Sequence, residues 1–163
     1  MTKDFALKIF EAFSIERWND LVRPFDIVEM DKSAEKMVVA YIIGKYEEHK
    51  GAKIDWEWMI YASLFDLLRK IALCDIKSPV ERVLKKKYPE EFIKLNYWVL
   101  EQYKDLIDDK NLFEKFSTYI VDNSVKTNFD ITRRVLRAAH KYSTLRELDM
   151  IGMVNEKQRL SAI

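Results

Sequence analysis

Asp66 lies in the most apolar part of the run Met59-Ile-Tyr-Ala-Ser-Leu-Phe-Asp-Leu-Leu-Arg-Lys-Ile71. Met59, Ala62, Leu64, Leu67, Leu68 and Ile71 recur there at three- and four-residue steps, the pattern of a core helix. An unpaired carboxylate in such a place costs several kcal/mol or is forced neutral. Something cationic should face Asp66, a metal ion or a basic side chain, and which of the two it is decides whether water can be activated there. Arg17-Trp18 is the second chemical landmark, a guanidinium beside a large flat ring. Either the ring packs while the guanidinium is solvated or stacked on it, or the pair lines a pocket for a ring-bearing anion.

Other chemistries are short of residues. His49 and His140 are the only histidines, which limits histidine-based metal sites and catalytic triads. No glycine-rich phosphate loop, G-x-S-x-G elbow or Cys/His zinc spacing occurs, and three glycines leave no room for a dinucleotide fingerprint. Glu47-Glu48, Glu90-Glu91 and Asp108-Asp109 lie in polar stretches and read as solvated faces.

The elements that must carry these groups are helices. A first amphipathic helix is expected over 3–13, with Phe5, Ile9, Phe10 and Phe13 on one side. Pro24 keeps the connecting segment 15–25 from continuing as helix. A second helix is expected over 34–50, capped by Asp31 or Ser33, ended by Gly51, and facing inward through Met37, Val38, Tyr41, Ile42 and Lys45. Asp55 caps a third over 56–73, which carries Asp66. Pro79 and Pro89 open helices over 80–87 and 90–106, the latter apolar at Phe92, Leu95, Trp98, Val99 and Tyr103. Two more follow over 112–122 and 127–154, the last with Ile131, Val135, Leu136, Ala139, Tyr142, Leu145 and Leu148 on one stripe.

Composition agrees. Of 163 residues, 48% are hydrophobic and 34% charged, with three Gly and three Pro, as in a helical globular protein. One all-α domain over 1–154, a bundle of six or seven helices, and a polar tail over 155–163 are expected. A formal charge of +1 supplies no long-range field toward nucleic acid or an anionic membrane. No run approaches ~18 uninterrupted apolar residues, so no membrane span is expected. A lone cysteine, Cys74, with no signal peptide points to a reducing cytoplasm.

The order of landmarks resembles the HD-domain phosphohydrolases, and within them the YfbR-like 5′-deoxynucleotidases and their oxetanocin-like relatives. The residues that carry the resemblance are Arg17-Trp18, Phe65-Asp66, Asp75, the Ile76-Lys-Ser-Pro-Val80 turn and Ala138-Ala-His140. The similarity covers roughly residues 6–148. It implies an HD-type bundle and a metal-dependent hydrolase of deoxynucleoside 5′-monophosphates that dimerises. Carried over by position, the metal ligands fall on or near Lys32, on Phe65 and Asp66, and on or near His140; the glutamate that helps activate water falls on Arg69. Of the expected ligands only Asp66 stands unchanged.

The substitutions have a physical consequence of their own. A unit positive charge 4 Å from a divalent cation costs roughly 8 kcal/mol at an effective dielectric of 20. Phe65 has no lone pair, and one carboxylate with one imidazole falls short of the three or four ligands such sites use. Without a metal there is no bound hydroxide, and without a carboxylate at position 69 there is no base.

Three functional expectations follow. In the first, the chain is a metal-free pseudoenzyme in which Lys32 pairs with Asp66, while Arg17, Trp18, Lys32, Arg69 and Asp75 form a pocket for a nucleotide or phosphate. In the second, a rearranged site of Asp66, His140, Asp75 and His49 holds Mn, Co or Zn, with Asp66 and Asp75 catalytic. In the third, the chain is a protein-interaction module without a small ligand, using its aromatic supply, Trp56, Trp58, Tyr97 and Trp98. A homodimer sharing an apolar helix face is the expected assembly.

Overall fold

The computed structural model describes residues 2–74, 76, 78–122, 130–152 and 154. Among them the chain is all-α: α1 (Lys3–Phe10), a 3₁₀ turn (Glu11–Ser14), α2 (Glu29–His49), α3 (Trp56–Leu73), α4 (Ser78–Lys87), α5 (Pro89–Glu101), α6 (Lys110–Asp122) and α7 (Asp130–Gly152). The sole β pairing among the described residues is an isolated antiparallel bridge between Glu16 and Val28. No described helix is long and apolar enough to cross a membrane. The tail 155–163 lies outside the described residues.

The helices group into two compact units. One comprises Met1–Ala12 and Leu64–Lys126, the other Phe13–Ser63 and Thr127–Ile163.

In the first unit, short polar side chains fix where helices begin. Thr2 Oγ1 accepts from the Phe5 amide at 3.1 Å and donates to the Leu106 carbonyl, also at 3.1 Å. Asp109 Oδ1 accepts from the Asn111 and Leu112 amides at 2.9 and 3.1 Å, and so starts α6 at Lys110. The core is aromatic: Phe65, 2% exposed, lies 5.2 Å from Phe116 and 5.5 Å from Tyr119, ring centre to ring centre, and Tyr103 meets Phe116 edge-on at 5.4 Å. Trp98, expected inward, is exposed, while Asn96 is buried and donates to the Ile120 carbonyl at 3.0 Å. An amide with a partner can occupy a core position that hydropathy assigns to its larger neighbour.

The Tyr103 hydroxyl is buried and donates to the Leu68 carbonyl of α3. Burial, with the negative charge of Glu11 and Cys74 behind it, pushes its pKa far above the ordinary value of 10. A group whose folded pKa is raised adds stability that is fully present below the unfolded value and is lost as pH climbs toward the folded one. Thermal unfolding followed against pH should therefore fall off above about pH 10, and Tyr103→Phe should flatten that fall while costing about 1 kcal/mol at neutral pH for the lost buried hydrogen bond. An identical alkaline profile in the variant would assign the loss to other groups.

In the second unit, Asp55 caps α3 by accepting from the Trp58 amide at 3.0 Å, as its sequence position predicts. Gly51 follows α2 with φ +92°, a backbone region open to glycine. The inward face of α2 differs from expectation. Glu29, Lys32, Lys36, Ala40 and Gly44 are buried, whereas Val38, Tyr41, Ile42 and Lys45 point outward and Met37 is half-buried. The cause is the helix it packs on. α7 presents the row Val135, Ala139, Ser143, Glu147 and Ile151, and α2 meets it with its own four-residue row, 32-36-40-44. Small residues at 40, 139 and 143 let the helices approach, Gly44 makes room for the Trp56 ring, and Glu147 makes burial of Lys32 tolerable. On α7 the expected stripe holds through Ala139, then fails: Tyr142 and Leu145 are exposed because the row continues through polar Ser143 and Glu147.

Candidate functional site: a charge cluster on Glu147

Three of the residues singled out from the sequence come together in the second unit, around a carboxylate. Arg17 donates from Nε to Glu147 Oε1 and from Nη2 to Glu147 Oε2, both at 2.8 Å, the two-pronged geometry that suits a guanidinium to a carboxylate. Its third nitrogen, Nη1, donates to Glu29 Oε2 at 2.6 Å. Trp18 Nε1 donates to Glu147 Oε2 at 3.0 Å, and the Arg17 guanidinium sits 5.9 Å from the Trp18 ring centre. Lys32 Nζ donates to Thr144 Oγ1 at 2.6 Å and lies 3.7 Å from Glu147 Oε2. Thr144 passes its own proton to the His140 carbonyl at 2.9 Å.

The backbone is shaped to deliver these groups. The Arg17 amide donates to the Ile27 carbonyl at 2.8 Å and the Glu29 amide to the Ile15 carbonyl at 2.9 Å, folding 15–29 back on itself. Asp31 Oδ2 accepts from the Val28 amide at 3.1 Å and fixes the start of α2. Trp18 has φ +57°, left-handed backbone that a bulky side chain adopts at a cost of roughly 1–2 kcal/mol. Its bond to Glu147 offsets that cost.

Electrostatically the cluster sets two cations, Arg17 and Lys32, against two carboxylates, Glu29 and Glu147. Glu147 is 1% exposed and Lys32 6%. Burial alone would pull the Arg17 pKa down; the hydrogen bonds and charge of Glu147 and Glu29 outweigh it and hold the guanidinium above its ordinary value. Every guanidinium nitrogen already faces a carboxylate, so a phosphate entering here would have to displace Glu147 or Glu29.

The remaining expected residues are placed as follows. Asp66, half-buried in the first unit, accepts from the Tyr119 hydroxyl at 2.7 Å. Arg69 is bound to Glu81 of α4, and its guanidinium lies 5.4 Å from the Phe92 ring. His49 ends α2 and is exposed, as is His140 on α7. Asp75 lies outside the described residues. An open cleft of about 530 Å³ in the first unit is lined by Lys104 and Lys110 together with Asp108 and Glu114, so its charges balance. Sequence reasoning missed Glu29 and Glu147. Glu147 had a signal, an acid two four-residue steps beyond Ala139 on a core row; Glu29 had none.

Among the described residues, no three His, Cys, Asp or Glu side chains are grouped so as to hold a metal ion. Three of the positions the resemblance assigns to metal or base carry groups that cannot serve as a metal ligand or a base. Lys32 is an ammonium on Thr144 and Glu147, Phe65 is a ring among rings, and Arg69 is a guanidinium on Glu81. Comparisons with protein-family models, with curated proteins and with solved structures each return no match.

Proposed function

We propose that this chain is a non-hydrolytic relative of the HD-domain phosphohydrolases that acts through its surface, as an interaction module, rather than through a nucleotide pocket. The observation that carries the reading is the Glu147 cluster. Arg17, Trp18 and Lys32, the residues expected to grip a sugar phosphate, are bound to carboxylates of the chain itself. Fixed ion pairs replace the functions a metal and a phosphate would otherwise share. Breaking them to admit a ligand would leave buried charges without partners, at roughly 3–5 kcal/mol.

The test uses the full chain with deoxynucleoside 5′-monophosphates and Mn²⁺, Co²⁺ or Zn²⁺, with released phosphate and melting temperature as readouts. No phosphate above the buffer rate and no ligand-dependent rise in melting temperature are expected. Turnover that Asp66→Ala abolishes would overturn the reading in favour of an active hydrolase. A rise in melting temperature with nucleotide or inorganic phosphate, lost in Arg17→Met, would overturn it in favour of a phosphate-binding pocket, since a ligand at 100 times its dissociation constant stabilises by about 2.7 kcal/mol.

A further inference from the structure

Gly44 stands inside α2, where glycine is among the poorest helix formers. Its place there seats a ring. A Cβ at this position would lie 2.6 Å from the tip of the Trp56 indole, and the three atoms nearest to it all belong to that ring. One turn further on, Glu48 Oε1 accepts from Trp56 Nε1 at 2.6 Å, so α2 holds the indole at two points. The Tyr41 ring stands beside it, 5.5 Å away between centres and tilted by 48°. A cation rests against both. Lys45 Nζ lies 5.0 Å from the Trp56 ring centre and 5.8 Å from that of Tyr41, within the reach of cation–π attraction, and donates to Glu48 Oε2 at 2.8 Å.

Two fixed rings and a carboxylate around one ammonium are the parts of a seat for a positively charged head group, and here the chain fills it with a lysine of its own. That occupant is loosely held. The Lys45 side chain is 50% exposed and that of Glu48 31%, an ion pair of the surface kind that contributes little to stability. The bond between them raises the Lys45 pKa and lowers that of Glu48, so both stay charged at neutral pH. An ordinary lysine from outside would gain nothing over Lys45, which is already tethered in place. A methylated one does gain, because its methyl groups leave less hydration to lose on the ring faces while its charge still faces Glu48. We infer that Tyr41, Trp56 and Glu48 form a binding seat for a methylated lysine side chain of a partner protein, which enters by displacing Lys45. Tyr41 is 56% exposed, so the approach is open, and all of these residues lie in the second unit. The methylated lysine would be the partner group of the surface-acting reading above, on which this inference rests. The two fail separately, because the seat is read from a methyl-dependent response at Trp56 and the nucleotide reading from phosphate release.

The experiment titrates the full isotope-labelled chain with acetyl-glycyl-trimethyllysyl-glycine amide, with the same peptide unmethylated, and with choline. The readout is the nuclear magnetic resonance signal of the Trp56 indole N–H, assigned by its loss in Trp56→Phe. The trimethylated peptide is expected to shift that signal and to bind roughly tenfold or more tighter than the unmethylated one. Lys45→Ala empties the seat and should tighten binding of the trimethylated peptide by about tenfold, the worth of the displaced cation–π contacts and surface ion pair. Tyr41→Ala, at an exposed position, should weaken it by about tenfold or more with helix content unchanged by circular dichroism. No shift at Trp56 in either the parent or Lys45→Ala, equal affinity for the methylated and unmethylated peptides, or binding that Tyr41→Ala leaves unchanged would overturn the inference. Choline bound more tightly than the trimethylated peptide would overturn the partner named here in favour of a free quaternary ammonium.

Discussion

Glu147→Ala lowers the melting temperature by about 10 °C, a fall expected from losing roughly 3–5 kcal/mol at 2–4 °C per kcal/mol in a chain of this size. The size of the effect comes from what is left behind. With Glu147 gone, two guanidinium nitrogens of Arg17 and the indole N–H of Trp18 lose their acceptor, and Lys32 loses its nearby carboxylate, all in a region screened from water. Glu147→Gln keeps the volume and one acceptor oxygen and should fall between alanine and the parent. The pair is coupled, so Arg17→Met in the Glu147→Ala background should cost much less than in the parent, because the unpaired charge has been removed. A Glu147→Ala melting point within about 2 °C of the parent would show that the cluster contributes no more than surface ion pairs do.

Phe65→Ala is the second large loss, at about 3–5 kcal/mol, the range for emptying a buried phenyl ring from a close-packed core. Phe65 touches both Phe116 and Tyr119, and Tyr119 also donates to Asp66, so the cavity would loosen the bond that partners the half-buried carboxylate. Phe65→His makes the sharper comparison. It restores the His-Asp pair of the resembled enzymes and places a polar ring among apolar ones. If position 65 is a core position, the variant loses stability and its melting point does not move with Mn²⁺ or Zn²⁺. A metal-dependent recovery of several degrees would reveal a latent metal site at Asp66 and reverse that conclusion.

The helices themselves were readable in the sequence because their signals are local. Asp55, Pro89 and Gly51 mark ends that the structure keeps, and the first helix stops at Ser14 through a 3₁₀ turn. Which side of each helix faces inward was less readable, and α2 shows why. Hydropathy orients a helix by its apolar residues, but α2 turns its charged and small residues inward, where Glu147 makes Lys32 tolerable, Ala40 permits close approach and Gly44 makes room for Trp56. That outcome depends on a residue more than a hundred positions away. The Arg17-Trp18 pair could be picked out by residue type alone, yet its role could not, because the carboxylates that occupy it, Glu29 and Glu147, become its neighbours only on folding. Within its unit Asp66 accepts from the Tyr119 phenol, and a hydroxyl leaves no trace of such a bond in periodicity or composition.

The left-handed turn at Trp18 gives the 15–29 segment the character of a cocked latch. The indole is held in a conformation its own backbone resists, and one oxygen of Glu147 restrains it together with the Leu21 amide on the Trp18 carbonyl. Whatever withdraws that oxygen releases the tension along with the bond, so this turn would spring open early in unfolding, ahead of the helices it ties together.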